Sequence, residues 1–453
     1  MTKAPDPPDH EPDERTVRKA VLASAMGNAV EWFDFGVFSA GVVTAIVGTV
    51  FFPPDDGGGA TLRSFAMIAA AFLARPFGGL FFGPLGDRIG RKRVLAITIM
   101  LMSGSTFVIG ILPGYSTIGW FAPLALLLVR LVQGFSTGGE YGGAATMIAE
   151  YAPTRRRGFF GSFLEFGTLA GYAAGAALVL TVQLVLGDDA MHAWGWRIPF
   201  LLALPLGIVG LFIRSRIEDT PEFRRMEERG EKARTPVRET LTGHWRTILR
   251  LICIVILLNV GVYTLLTFMP SYLIDDLGVS EVTAQLITIG VELAMITVIV
   301  PLGALSDRVG RKPLLLFVAF GFLLLSWPAF RLMQTDHWLG VAAGYALIGG
   351  LLVPMQAVIG ATFPAMFPTR VRYGAFAIGY NVSTSLFGGT AAVVVGSLIS
   401  VTGSNDVPAF YLMLAALIAL VPLLTLRETA GVPIDRAGEP DAPAPEGLRR
   451  RAG

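Results

Sequence analysis

The chain has 453 residues, 53% of them hydrophobic before its 53 glycines are counted, and only 15% are charged. An ordinary soluble domain carries about 25% charged residues, so this chain could not cover a water-facing surface, and it reads as an all-α polytopic membrane protein. Thirty-six basic against 34 acidic residues leave a net charge of +2, without the basic excess of a nucleic-acid binder. The single cysteine, Cys253, lies in an apolar run and excludes a disulfide framework or a cysteine metal cluster. His10, His192, His244 and His337 are scattered without ligand spacing, so no metal and no cofactor is expected.

Residues 1–19 are polar and carry Pro, Asp and Glu. They lack the early apolar core of a signal peptide and are expected to form a cytoplasmic tail. A bilayer core of roughly 30 Å takes about 20 apolar residues per helix. Runs of that kind follow at 20–49, 62–84, 92–112, 119–150, 158–186, 196–214, 247–274, 282–306, 312–331, 338–364, 373–400 and 408–426. Six connecting loops, from 50–61 to 401–407, hold no Lys or Arg. The basic clusters Arg88/Arg91/Lys92/Arg93, Arg155/Arg156/Arg157, 214–250, Arg308/Arg311/Lys312 and Arg370/Arg372 fall in the alternate set. Positive charge marks cytoplasmic loops, which places both termini inside. The charged stretch 215–246 divides the chain into halves at 20–214 and 247–427, and 428–453 is a Pro/Ala-rich tail expected to be disordered.

The halves repeat each other. Gly83-Pro-Leu-Gly-Asp87-Arg88-Ile-Gly90-Arg91-Lys92 returns 220 residues later as Gly303-Ala-Leu-Ser-Asp307-Arg308-Val-Gly310-Arg311-Lys312. Pro153-Thr-Arg155-Arg-Arg157-Gly158 returns as Pro368-Thr-Arg370-Val-Arg372-Tyr-Gly374. Tight turns with positive-inside charge would explain the basic residues but not so long a shared string. Such repeats in membranes belong to transporters, with solute near the midplane between the halves. The expected fold is therefore twelve transmembrane helices in two pseudo-symmetric six-helix halves.

The Gly83–Lys92 string resembles the signature of the major facilitator superfamily. Gly27-Asn-Ala-Val-Glu31-Trp-Phe-Asp34-Phe, Arg130-Leu-Val-Gln-Gly134 with Glu140-Tyr141, Trp194-Gly-Trp-Arg197 and Phe268-Met-Pro-Ser-Tyr-Leu273 resemble its metabolite:H⁺ symporter family. Phe363-Pro-Ala-Met-Phe-Pro-Thr points further to the proline/glycine-betaine symporters. The resemblance spans about residues 18 to 430 and implies a multi-pass protein of a bacterial inner membrane. It implies a proton-coupled symporter for a small zwitterionic osmolyte or amino acid. Related members carry 2-oxoglutarate, citrate or shikimate, so an organic-acid symporter is the alternative. A solute sensor and a membrane enzyme are further from the sequence. The tail has no heptads, and no P-loop and no catalytic nucleophile motif occurs. Expected partners are the small-molecule solute, protons and lipid, with no nucleic acid, and the protein is expected to act as a monomer.

Ionisable residues inside spans are functional candidates by default: Glu31, Asp34, Arg75, Arg130, Glu140, Glu165 and Glu292. At ~1.5 Å per residue, Glu31 and Asp34 lie roughly 16 and 21 Å into the first helix, on one face, with Arg75, Glu140 and Glu165 near the same level. Asp34, Glu31, Arg130, Arg75 and Glu140 are thus candidates for proton coupling. A carboxylate beside an Arg holds its proton weakly and regains it when that partner leaves. The resemblance to sugar symporters singles out Asp34 with Arg130; a static ion pair orienting helices is the alternative. Glu292 has no evident counterpart and either faces water or carries a proton.

By the resemblance, helices 1, 4, 7 and 10 line the cavity, which makes Trp32, Phe35, Gln133, Tyr141, Asn259, Tyr263 and Gln356 candidates for solute contact. An onium group favours aromatic faces at roughly 0.5–2 kcal/mol each, and a carboxylate favours Arg. Asp87, Arg88, Arg91, Glu150, Arg157, Asp307, Arg308, Arg311 and Arg372 form the expected cytoplasmic gate. Ala365 stands where the second half should repeat Glu150, which predicts a weaker gate on that side. Gly167, Gly171 and Gly175 form a small-residue stripe suited to close helix contact.

Overall fold

The structure is a computed structural model, and it describes residues 14–53, 59–89, 91–215, 237–335, 337–368, 371–434 and 437–438. Side chains 83–84, 86–89, 91–92, 213–215 and 237–242 lie outside the description. Among the described residues there is no strand. Among the described residues, ten helices are long and apolar enough to cross a bilayer, and two bent helix pairs, each counted as one span, bring the number up to twelve.

The first half begins with α1, Glu14–Ser39, which continues after a 69° bend as Gly41–Val50. The helix starts within the stretch expected as a polar tail. It is followed by α2 (Ala60–Ile89) and α3 (Arg91–Ile111). Next come α4 (Phe121–Tyr151), α5 (Thr154–Leu186) and α6, a pair Asp188–Gly195 and Arg197–Phe212 bent by 56°. The second half holds α7 (Gly243–Asp276), α8 (Glu281–Val309), α9 (Arg311–Met333), α10 (Trp338–Thr362), α11 (Arg372–Thr402) and α12 (Val407–Leu424). Each apolar run is long enough to satisfy its own backbone hydrogen bonds, the requirement for crossing lipid. Large apolar side chains such as Phe77, Leu184, Phe212, Leu324 and Phe410 are exposed on the outside of the bundle, as a lipid-facing surface requires.

Small residues set how closely the helices approach. The stripe Gly167, Gly171, Gly175 of α5 lies on α1, where an added Cβ would come within 2.2 Å of Ala25 O, 2.4 Å of Ala29 O and 2.6 Å of Phe33 O. Likewise a Cβ on Gly138 of α4 would sit 2.0 Å from Arg75 O. These backbone contacts hold α1 against α5 and α2 against α4, which fixes where Trp32, Asp34 and Arg75 point. The halves meet along α5 with α8 and α2 with α11. Helices α7 and α11 contain π-helical turns, Thr264–Phe268 and Thr384–Gly388, of a kind often found at functional sites. Tyr263, just before the first, packs on Gly388 of the second.

The described start and finish of the chain lie at one end of the bundle, beside the basic loops. There Arg156 reaches Glu14 at 3.4 Å, and Arg157 donates to Val432 O at 2.9 Å. We call this the basic end. Residues 429–434 are packed there and not loose, with Thr429, Ala430 and Val432 buried. That departs from the disorder expected for 428–453. The rest of the tail beyond 438, and residues 216–236 of the charged linker, lie outside the described residues.

Candidate functional site

Trp32, Phe35, Phe72, Arg75, Tyr172 and Tyr263 come together at mid-bundle from α1, α2, α5 and α7. All are buried. The Trp32 ring lies 5.0 Å from Phe35, stacks on Tyr172 at 5.6 Å and lies 6.3 Å from Tyr263. Phe72 meets Tyr263 edge-on at 4.9 Å. The Arg75 guanidinium sits over Phe72 at 3.8 Å, with Phe35 at 5.3 Å and Trp32 at 5.6 Å. Its Nε and Nη2 have no hydrogen-bond partner among the described residues. The Trp32 indole is held by donation to Asn28 Oδ1 at 3.1 Å, and Asn28 in turn donates to Leu164 O and Thr168 Oγ1, both at 2.7 Å. Glu31 is buried one helical turn before Phe35 and lies within electrostatic range of Tyr263.

A second cluster lies beside it, between α1, α3 and α4. Arg130 Nη1 approaches Asp34 Oδ2 at 3.4 Å, with side chains only 1% and 3% exposed. Arg130 Nη1 also donates to Gln133 Oε1 at 2.8 Å, and Gln133 Nε2 donates to Asp34 Oδ2 at 3.0 Å and Thr106 Oγ1 at 2.7 Å. Phe38 lies under the guanidinium at 3.6 Å. The structure thus brings Asp34 and Arg130 together and makes Gln133 the third member of their network, not a group open to solute. Glu140 is turned toward α3, where Thr98 Oγ1 is 3.5 Å away.

Below the aromatic box, toward the basic end, Tyr141 donates to Glu165 Oε1 at 2.6 Å and stacks on Tyr380 at 4.2 Å. Gln356 Nε2 lies 3.4 Å from Glu165 Oε2. These four groups come from both halves and join them there. Tyr141 and Gln356 are therefore part of a cross-link and not an open wall. Asn259 is also occupied: it donates to Ser383 Oγ and accepts from Thr384 Oγ1, both at 3.2 Å.

The basic end is shut. Asp307 of α8 accepts from the backbone N–H of Gly158 at 2.7 Å and Phe159 at 2.9 Å, at the start of α5. A carboxylate at a helix N-terminus meets both orphan donors and the helix dipole. Arg311 lies 3.6 Å from Asp307 and donates to Ala361 O and to Thr429. Glu150 pairs with Arg372 of the other half at 3.5 Å, and Arg372 Nη2 donates to Ile434 O. Ala365 is buried against Val432 and Ala437. The missing second Glu thus leaves room for the tail, whose carbonyls receive Arg157 and Arg372. This is how the second half of the gate differs from the weak contact expected. Arg308 belongs to α8 near the same end. The side chains of Asp87, Arg88 and Arg91 lie outside the described residues.

The opposite end is bridged as well. Gln183 of α5 donates to Glu281 at 2.8 Å and accepts from Gln285 at 2.7 Å; Thr61 donates to Asp275 at 2.9 Å. Both ends of the bundle are thus bridged between the halves. Sequence reasoning missed Tyr172 and Phe72 of the box, because α2 and α5 were not among the helices considered for solute contact.

Residues 19–244 match the family model "Sugar (and other) transporter" and residues 251–451 match "Major Facilitator Superfamily". The chain is 44% identical over 434 residues to a glycine betaine/proline/ectoine/pipecolic acid transporter of Dickeya dadantii, covering 94% of this chain and 86% of that one. It is 42% identical, with the same coverage, to the proline/betaine transporter of Escherichia coli. An ectoine/proline transporter of Corynebacterium glutamicum is 39% identical over 93% of this chain and 86% of its own length. Among solved structures, a proton:xylose symporter bound to 6-bromo-6-deoxy-D-glucose superposes with a TM-score of 0.75 at 18% identity, covering 93% of this chain and 98% of that one. Its fold is that of the present bundle. The chain belongs to the major facilitator superfamily and, within the metabolite:H⁺ symporters, to the family of the proline/betaine transporters.

Proposed function

We propose that the protein is a proton-coupled symporter that takes up a small zwitterion of the proline or glycine-betaine kind by alternating access. Its basic end faces the cytoplasm of a bacterial cell, by the preference of Lys and Arg for that side. One observation carries the solute class. The unpartnered Nε and Nη2 of Arg75 form one edge of the guanidinium fork, which matches the two oxygens of a carboxylate. The rings of Phe72, Phe35 and Trp32 lie within 5.6 Å of that guanidinium, with Tyr172 and Tyr263 packed on Trp32, and aromatic faces are where an onium group is stabilised. One fork and one aromatic box suit one molecule bearing both charges.

The proton is handled next to the solute. Asp34 is paired with Arg130 and Gln133 in the closed state; opening one end changes those partners, so the carboxyl gains or loses its proton as the halves rock. The family membership of the chain supports this reading. The organic-acid alternative has one observation in its favour: Nε and Nη2 of Arg130 are also unpartnered. Asp34 already balances that charge, so a dicarboxylate would meet a single uncompensated guanidinium.

The test is counterflow of labelled glycine betaine, proline and 2-oxoglutarate in proteoliposomes. The first two should exchange and the third should not. Arg75→Lys should lower kcat/KM for them by about 10- to 100-fold, because an ammonium cannot form the fork and a charge-assisted bond is worth roughly 1.5–3 kcal/mol. Exchange of 2-oxoglutarate without glycine betaine or proline would overturn the reading.

A further inference from the structure

Glu292 stands apart from the groups used so far. It is buried on α8, opposite the first-half cluster, and its Oε2 has no hydrogen-bond partner among the described residues. It lines a small cavity between the halves, together with Ser39, Tyr172, Gln285 and Thr288. Gln285, Thr288 and Glu292 fall on one face of α8, which makes a polar stripe down an otherwise apolar helix.

That stripe continues to the outer mouth. Gln285 Nε2 donates to Gln183 Oε1 at 2.7 Å, and Gln183 Nε2 donates to Glu281 Oε2 at 2.8 Å. Glu281 is one-third exposed and has the half-exposed His192 3.8 Å away. Titratable side chains therefore begin the track at the surface, amides carry it inward, and a carboxyl ends it. The Oε1 atom of Gln285 is buried and unpartnered, so the track has an acceptor still open toward the cavity.

The groups facing Glu292 supply no charge to hold it ionised. From α5 the Tyr172 side chain shares its cavity, and from α10 Tyr345 is within electrostatic range. The parts of α1 and α7 at the cavity are Gly36, Ser39, Ala40, Leu266 and Pro270. An ionised carboxylate buried without a cation is strongly disfavoured, whereas a neutral carboxyl needs only modest hydrogen bonding.

We propose that Glu292 is a second proton-binding site of the transport cycle, carried by the C-terminal half and reached from the outer mouth along Glu281, Gln183, Gln285 and Thr288. The proton is taken onto the carboxyl while the cavity is open to outside water and kept while both ends are shut. It leaves when rocking exposes Glu292 to the inside. No bond other than O–H forms or breaks. The site rests on the symport reading above for its place in a cycle, but its occupancy is measurable without solute.

The experiment compares wild type, Glu292→Gln, Glu292→Asp and Gln285→Leu in proteoliposomes. Gln imitates the protonated acid, so accumulation under an imposed pH gradient, taken relative to counterflow of the same labelled solute, should fall. One lost proton lowers the accumulation ratio about tenfold per pH unit of gradient. Glu292→Asp should restore much of that ratio, and Gln285→Leu should slow gradient-driven uptake. Infrared difference spectra across a pH step, recorded without solute, should lose a protonated-carboxyl band in Glu292→Gln. An unchanged ratio in Glu292→Gln, or an unchanged infrared spectrum, overturns the proposal. Equal loss of accumulation and counterflow in both Glu292 variants overturns it too, since that is the pattern of a packing residue. Wild-type protein that moves none of the three solutes overturns the symport reading instead, and leaves the infrared result to decide Glu292.

Discussion

The two halves share a repeat and a fold but not a charge inventory. The spans of the first half bury Glu31, Asp34, Arg75, Arg130, Glu140 and Glu165; those of the second, away from the gate, bury Glu292. In the first half Arg130 and Gln133 answer Asp34, while one edge of Arg75 is left open. The second half contributes hydroxyls, amides and aromatic rings, such as Asn259, Tyr263, Gln356 and Tyr380, with Glu292 as its one buried carboxyl away from the gate among the described residues. Pseudo-symmetry of backbone therefore does not require symmetry of function. A buried ion pair costs several kcal/mol in desolvation, and one half can carry that cost while its twin stays apolar and packs well.

Removing the charge on the first-half side should have the largest consequence. Asp34→Asn leaves Arg130 buried without its counter-ion, a loss on the order of 3–5 kcal/mol. The accumulation ratio under a proton gradient should fall by about tenfold per pH unit for the proton lost, with counterflow surviving in part. Wild-type accumulation by Asp34→Asn vesicles would break the division of labour between the halves. Arg130→Gln added to Asp34→Asn should recover thermal stability in detergent but not accumulation.

A smaller effect should come from the seam where the halves touch backbone to backbone. A Cβ on Gly158 would lie 2.2 Å from Ser306 Oγ and 2.5 Å from Gly303 O. Gly158→Val should therefore oppose closure of the basic end by about 1–3 kcal/mol, the usual cost of overpacking. The readout is the alkylation rate of a cysteine placed at Ser162, which should rise by roughly 5- to 100-fold. An unchanged rate would mean that the seam is not what closes the end.

The mildest perturbation is at the Glu150–Arg372 pair, which joins the halves with side chains 7% and 1% exposed. In a double-mutant cycle of Glu150→Gln and Arg372→Gln on the same alkylation readout, coupling should exceed the ~1 kcal/mol ceiling of exposed pairs. Coupling near zero would assign closure to Asp307 and the start of α5 instead.

Several of these groups were readable before any coordinates. Hydrophobic run length and loop charge located the spans, and the Gly83–Lys92 and Gly303–Lys312 strings located the two equivalent turns. Asp34 and Arg130 stood out because a charge in an apolar run is rarely accidental. Other roles were not readable. Gln133 looked solute-facing by its helix, yet it bridges Asp34, Arg130 and Thr106. Tyr141 and Gln356 looked like cavity walls, yet both reach Glu165. Arg372 takes its carboxylate from Glu150, in the other half. Apart from Arg130, one turn from Gln133, each partner is more than 20 residues away or in the other half, so the outcome depends on helix rotation and tilt.

The sequence by itself determined the membrane setting, the twelve spans, the internal duplication and the family, because these follow from residue-by-residue transfer energy and from local strings. Only the tertiary structure decided which buried charges are matched and which are left open. It decided that Arg75 lies in an aromatic box with one edge of its fork unpartnered, that the segment 429–434 packs across the basic end, and that Glu292 lines a cavity with its Oε2 unpartnered. Local periodicity sets which face of a helix is polar; what that face meets is set by how closely glycines let neighbouring backbones approach, and that distance belongs to the assembled bundle.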